Sequence, residues 1–151
     1  MKKILFLGAA SHQLAPIIYA KNKSYFVITC DNKPSNPGHK LADTSIIISN
    51  TNKELVLKAS IENHIDGIVS YASDISAPTA AYVAEKLNLP GNPFKSVLTL
   101  QRKDYFRKFQ KSFKLKFPNY KVFNHNEKQD AFDWLKKQDL PFFLKPIDSS
   151  G

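Results

Sequence analysis

The chain has 151 residues and a formal net charge of +9, long enough for one ordinary core or for one domain and the start of another. Apolar residues make up 42% and charged residues 23%, a balance that excludes a disordered chain, and no apolar run is long enough to cross a bilayer. A lone cysteine, Cys30, excludes an internal disulfide, and with no export signal this points to a reducing, cytoplasmic setting.

The opening Met1-Lys2-Lys3 and the apolar residues after it resemble a signal peptide only briefly. Gly8 and polar Ser11-His12-Gln13 break the run, so residues 3–7 are predicted as a first strand. Further strands are predicted at 25–30, 45–48 and 67–70, each an unbroken Ile/Val/Leu/Phe-rich run suited to burial on both faces. Helices are predicted between them. Pro16 suits the first turn of one ending near Asn22. Thr51 with Glu54 has the spacing of a capping box before Leu55, Val56 and Ala59. Ala80, Val83, Ala84 and Leu87 form one buried stripe, with Ser76 as cap and Pro78 in the first turn. Strand alternating with helix is the rhythm of an α/β fold with a Rossmann-like parallel sheet.

Leu89-Pro90-Gly91-Asn92-Pro93 breaks that rhythm, which sets a domain boundary between residues 92 and 93. Beyond it Phe106, Phe109, Phe113 and Phe117 recur at helical spacing and are expected to face a core, the helix stopping at Pro118. A strand at 120–123, a helix near 127–138 and a strand at 142–145 follow. The charge is uneven: residues 95–151 carry thirteen Lys/Arg against six Asp/Glu, while 1–94 carry nine against seven. Such a basic segment suits either nucleic acid or a nucleotide phosphate.

The turn Gly8-Ala9-Ala10-Ser11-His12-Gln13 lies outside the carboxyl end of the first strand, where a doubly wound sheet binds ligands. Asp31 ends the second strand, yet only one of the three glycines of a dinucleotide fingerprint is present. A tight connection or a substrate-binding turn both remain open there. Ser73 and Asp74, after the fourth strand, point to the same end or cap a helix. His12, His39, His64 and His125 lack metal-ligand spacing; His39 and His64 are expected at the surface, and a structural role is favoured for His12. Cys30 is expected to be a small core residue. Lys103 opens a helix and Lys145 ends a strand, an arrangement that allows both to meet one polyphosphate. A solvated helix face is the plainer account of Lys103 alone. After Lys145, Pro146-Ile147-Asp148-Ser149-Ser150-Gly151 supplies the small residues of a phosphate-cradling loop.

These residues resemble the ATP-grasp superfamily, within it the carbamoyl-phosphate-synthase-like and biotin-carboxylase-like ligases. Leu7 to Ile17, Asp31-Asn32-Lys33-Pro34, Pro37-Gly38, Ala42-Asp43, Ile65-Asp66-Gly67-Ile68 and Leu89-Pro90-Gly91 are similar to its pre-ATP-grasp domain. Lys103 with Arg107 and Phe117-Pro118 resembles the helix opening the ATP-grasp domain, and the stretch from Pro141 to Gly151 resembles the second nucleotide lysine and the glycine-rich flap. Arg102 stands where the family usually has an acid or asparagine.

The resemblance implies residues 1–92 as a pre-ATP-grasp domain and 93–151 as the start of an α+β ATP-grasp domain, cut within the flap. It implies an ATP-dependent carboxylate–amine, or related, ligase working through an acyl phosphate, inactive as these 151 residues alone. Lys103, Lys145, Ser149, Ser150 and Gly151 would hold ATP. Gly8, Ala9, Ser11, Asp31, Ser73 and Asp74 would shape the substrate side. Magnesium is implied, with ligands beyond residue 151. The implied partners are small carboxylate and amine substrates, with neither nucleic acid nor membrane, and with a homodimer allowed. Two other readings stay open: a Rossmann-like binding or regulatory domain without catalysis, and a basic nucleic-acid-binding module over residues 102–121.

Overall fold

The structure, a computed structural model, describes residues 1–149. Four strands, β1 (Lys3–Leu7), β2 (Phe26–Cys30), β3 (Thr44–Ile46) and β4 (Gly67–Ser70), form one parallel sheet in the order β3-β2-β1-β4. Parallel neighbours require crossovers, and the chain supplies α1 (Leu14–Asn22), α2 (Lys53–Asn63) and α3 (Ala77–Lys86). The period-two alternation of β1 sends Leu5 and Leu7 to one face, where they meet Ile28, Cys30, Val56 of α2 and Val83 of α3. Phe6 goes to the other face and meets Val27 with Ile17 and Ala20 of α1. The expected Rossmann-like α/β layering is therefore present, and both faces of the sheet are covered.

Local details differ from expectation where a tertiary contact outcompetes a local one. Asn52, not Thr51, caps α2: its Oδ1 accepts the Leu55 N–H at 3.2 Å. Glu54 turns away from the cap and accepts the Tyr82 hydroxyl of α3 at 3.0 Å. The third strand lies at Thr44–Ile46 rather than 45–48, because Asp43 pairs with β2 just before it. The Asp43 N–H donates to the Val27 carbonyl, its Oδ2 accepts the Val27 N–H, and its Oδ1 accepts Lys21 of α1.

After the break at residues 89–93, α4 (Phe94–Gln101) packs on the first unit through Phe94. That ring meets Tyr82 edge-on at 5.5 Å, and the Phe94 N–H donates to Glu85 Oε2. Helix α5 (Lys103–Ser112) then ends six residues before Pro118. Lys114 adopts a left-handed φ of 54°, and the Leu115 N–H returns to the Gln110 carbonyl, a C-terminal turn that satisfies the helix end locally. Phe106, Phe109 and Phe113 do not enter a core. Phe106 stacks on Phe109 at 6.4 Å and Phe109 meets Phe113 at a tilt at 4.6 Å, while Phe113 stays 65% exposed and Phe117 lies past the helix. A helix α6 (Lys128–Leu135) forms as expected. Residues 120–123 and 142–145 form no strand, since a strand exists only with a paired neighbour and none is present among the described residues. Phe143 and Leu144 are each 89% exposed.

The Lys21 hydrogen bond, with help from the Val27 N–H, holds the Asp43 carboxyl below the usual carboxylate range. A depressed carboxyl stabilises the fold above its unfolded pKa, about 3.9, and that contribution disappears as pH falls through the lower folded value. Denaturant unfolding from pH 7 to pH 2 is expected to show a smaller acid loss of stability for Asp43→Asn than for the unaltered chain.

Candidate functional site

The carboxyl ends of β1, β2 and β4 bring three turns to one edge of the sheet. Gly8, buried with φ of 107°, turns the chain out of β1 and donates its N–H to the Cys30 carbonyl at 2.8 Å. The positive φ calls for glycine, and a side chain there would lie 2.2 Å from the Gln13 amide and displace it. Ala9, fully buried, donates its N–H to Asp31 Oδ2 at 3.1 Å, and Asp31 Oδ1 accepts the Lys33 N–H at 2.9 Å. The Asp31 carboxylate is thus a clamp between two turns. The Ala9 carbonyl accepts the Gly38 N–H at 2.8 Å, an approach that a Cβ on Gly38 would block.

Sequence reasoning placed Gln13 in the turn without giving it a role. Its side chain is buried: Oε1 accepts the Ala10 N–H, and Nε2 donates to Tyr71 O at 3.0 Å and Leu7 O at 3.4 Å. It spans the gap between the ends of β1 and β4, where the strand order reverses. The signal that could have found it was a polar side chain five positions after a lone strand-ending glycine. Ser11 and His12 stand exposed above this edge. Ser73 turns inward through its carbonyl, which accepts the Ser70 hydroxyl, while Asp74 faces solvent. Ser76 is buried and shares a hydrogen bond with Ser70 rather than capping α3 with its side chain. His64 is at the surface as expected, but His39 is not: its Nδ1 meets the buried Thr29 hydroxyl at 2.8 Å, and its buried Nε2 has no partner among the described residues. Gly38, packed on Ala9, pulls its neighbour inward. Cys30 is a core residue, and burial, reinforced by the Asp31 charge, pushes its thiol up to about 12.

The second half contributes a different constellation. Lys103 is the first residue of α5, and segment 147–149 folds back onto it. The Lys103 N–H donates to Ile147 O at 3.0 Å, its ammonium to Ser149 O at 2.5 Å, and Gln101 Nε2 to Asp148 O at 3.0 Å. Lys145 is exposed and only two residues before Ile147, so the two Cα atoms lie within about 7 Å of each other. Ser149 is partly buried; Ser150 and Gly151 fall outside the described residues. Arg102 does not add free charge here. Its guanidinium grips Asp104 with two bonds of 3.0 and 3.1 Å and lies 4.4 Å over the Tyr105 ring. Burial pushes the Asp104 carboxyl up, but Arg102 and the backbone N–H groups of the first turn outweigh it and hold it below the usual range. Two cavities of about 240 Å³ lie elsewhere, one beside Trp134 and one between β4 and α3, and neither is lined by Lys103 or Lys145.

No family model matches the chain. A formate-dependent phosphoribosylglycinamide formyltransferase from Prochlorococcus marinus subsp. pastoris is 26% identical over 99% of this chain and 38% of its own length. The crystal structure of phosphoribosylglycinamide synthetase from Anaerococcus prevotii superposes with a TM-score of 0.73 at 24% identity, over 93% of this chain and 35% of that one. N5-carboxyaminoimidazole synthetase from Staphylococcus aureus, complexed with ADP, gives 0.64 at 20% identity over 87% and 35%. The fold is that of the N-terminal portion of the ATP-grasp proteins. The likeness foreseen from the sequence is borne out at that level, and the chain spans about two-fifths of the curated relatives it matches. Among the described residues no group of three or more His, Cys, Asp or Glu side chains could hold a metal ion, and no helix is long and apolar enough to cross a membrane.

Gly8→Ala is expected to destabilise this ATP-grasp-like N-terminal unit by about 2 kcal/mol or more, through backbone strain and displacement of the Gln13 amide. Equilibrium denaturation measures it. Cys30 is expected to resist alkylation at pH 8 in the folded chain and to react in denaturant, followed by mass spectrometry.

Proposed function

We propose that the chain is the N-terminal portion of an ATP-dependent carboxylate–amine, or related, ligase working through an acyl phosphate. Residues 1–92 are its pre-ATP-grasp domain and 93–151 the start of its ATP-grasp domain. The observation that carries this is the docking of 147–149 onto Lys103, which draws the stretch after Lys145 to the helix start bearing the other lysine. A relative's complex with ADP supports a nucleotide as ligand.

The donor set fits a polyphosphate. Two ammonium groups supply counter-charge, and the neighbouring Arg102–Asp104 pair is neutral overall. ATP is a substrate: a carboxylate oxygen attacks the γ-phosphorus, the bond to the bridging oxygen breaks, and ADP leaves. An amine then attacks the acyl carbon, phosphate departs and the amine gives up a proton. Lys103 and Lys145 hold phosphate oxygens and offset charge that spreads over them in the transition state. Ser149, Ser150 and Gly151 begin the flap over them. Gly8, Ala9, Ser11, Asp31, Ser73 and Asp74 shape the substrate edge, with Asp31 acting chiefly through the backbone it clamps. Magnesium would neutralise phosphate charge in this chemistry, held by residues other than the described ones, among which no group of three or more His, Cys, Asp or Glu side chains could hold a metal ion. The 151 residues bind nucleotide without turnover; ligase product or ATP hydrolysis from them with any carboxylate would overturn that statement.

Calorimetric titration with ATP is expected to show at least a tenfold weaker affinity, about 1.4 kcal/mol, for Lys103→Ala and for Lys145→Ala. Lys58→Ala, on the exposed face of α2, leaves affinity unchanged. Equal binding by Lys145→Ala and the unaltered chain would favour a Rossmann-like binding domain instead.

One observation favours a second reading, a polyanion-binding surface on α5. Phe109 and Phe113 are partly exposed between Lys108, Lys111 and Lys114, where a base could stack. Binding of single-stranded RNA or DNA that falls steeply with salt and weakens on Phe113→Ala would establish it; its absence at low salt would remove it.

A further inference from the structure

The break at residues 89–93 has the composition of a flexible linker, yet both of its ends are held on α3. The Leu89 N–H donates to the Ala84 carbonyl at 2.8 Å, and the Phe94 N–H donates to Glu85 Oε2 at 3.0 Å. The second bond satisfies an N–H that has no partner within its own helix, and it sets a carboxylate at the positive end of the α4 dipole. The Phe94 ring lies edge-on to Tyr82 at 5.5 Å. Lys53, the first residue of α2, places its ammonium 4.6 Å from the centre of the Tyr82 ring and 5.3 Å from that of Phe94. One cation thus serves two rings on two different helices. Lys86 approaches the Tyr82 ring at 5.7 Å, and Glu54 accepts the Tyr82 hydroxyl with both oxygens, at 3.0 and 3.2 Å. The hydrogen bond to Glu54 holds the Tyr82 hydroxyl above its usual range, so it stays a protonated donor.

The other end of α4 is held as well. The Arg102 N–H donates to Leu98 O and the Phe106 N–H to Arg102 O, so bonds run across the break between α4 and α5. Gln101 Nε2 donates to Asp148 O. Helix α4, with 8 residues, is a rod about 12 Å long. It is joined to the sheet unit at one end and to the segment bearing Lys103 at the other.

We propose that Lys53, Tyr82 and Phe94 are positioning residues, a clasp that sets Lys103 at a fixed separation from the substrate edge of the sheet without touching either ligand. The inference rests on the nucleotide reading above and adds residues to it. A carboxylate oxygen attacks phosphorus only when the reacting atoms are held about 3–3.5 Å apart. The turn at 8–13 and helix α5 belong to different units, and the chain joins them through α4. A free linker at 89–93 would leave their separation undefined. Lys53 suits the joint because it is exposed: a cation attracts ring faces in the presence of water, so the clasp holds at the surface without a core of its own.

Distances between spin labels on the 151-residue chain test the proposal. One label at Lys58→Cys on α2 and one at Lys111→Cys on α5 report the separation of the two units; both sites are exposed, and Cys30 is buried. With the clasp intact the labels are expected to give one narrow distance. Phe94→Ala is expected to widen that distribution about twofold, as a released linker would, while the melting temperature of the sheet domain stays unchanged. Phe94→Tyr keeps the ring and is expected to restore the narrow distance. Lys53→Met keeps the stem, removes the cation and is expected to widen the distribution by a smaller amount. Unchanged widths in both Phe94→Ala and Lys53→Met would overturn the proposal, as would a broad distribution with the clasp intact. Widening that comes only with a lowered melting temperature in both variants would also overturn it, leaving a structural role. Titration of the unaltered chain with ATP is read separately. Without binding, the nucleotide reading fails and the positioning role with it; binding together with a distance indifferent to Phe94 and Lys53 would sink the clasp alone.

Discussion

A parallel sheet has to be covered on both faces and crossed over between every pair of strands, and that constraint arranges everything else in the first half. Each crossover leaves its strand at the carboxyl end, so the turns after β1, β2 and β4 gather at one edge whatever their sequences. Once gathered, their backbone polar groups need partners. Asp31, Gln13 and Gly38 meet that need: a carboxylate takes the Ala9 N–H, an amide spans β1 and β4, and a side-chain-free position lets two loops touch.

The second half obeys a different balance. Its helices bury little, and its apolar residues find one another instead of a sheet. Phe109 packs at a tilt against Phe113, Phe117 meets Tyr120 edge-on, and Phe123 does the same with Trp134. Against this loosely packed background the contact between α5 and 147–149 stands out as long-range and specific. It joins residues 46 positions apart through both backbone and side chain. A lysine's ammonium on a carbonyl is a charge-assisted bond, stronger than a neutral one, so this contact gives the segment a defined seat.

Charge at the junction shows how a local surprise is absorbed. Arg102, out of keeping with the resembled pattern, would double the positive charge beside Lys103 if it stood free. The bidentate bond to Asp104, two residues on, cancels it and fixes the plane of the guanidinium over Tyr105. The net positive charge of the helix start is left with Lys103.

Much of the first half was legible in the residues. The strands at 3–7 and 67–70, the helix bearing Val83 and Ala84 and the burial of Cys30 follow from apolar period and glycine placement, which are local properties. The family likeness was carried by the order of the motifs. What the chain alone left open was every choice between competing partners. Asn52 rather than Thr51 caps α2 because Glu54 is taken by Tyr82; His39 is drawn in by Thr29; the phenylalanine stripe stays outside because no covering layer is present among the described residues. Residues 120–123 and 142–145 have strand-like composition, yet a strand is a property of a pair. Periodicity records what a segment can bury, whereas only tertiary contact decides what is there to bury it against.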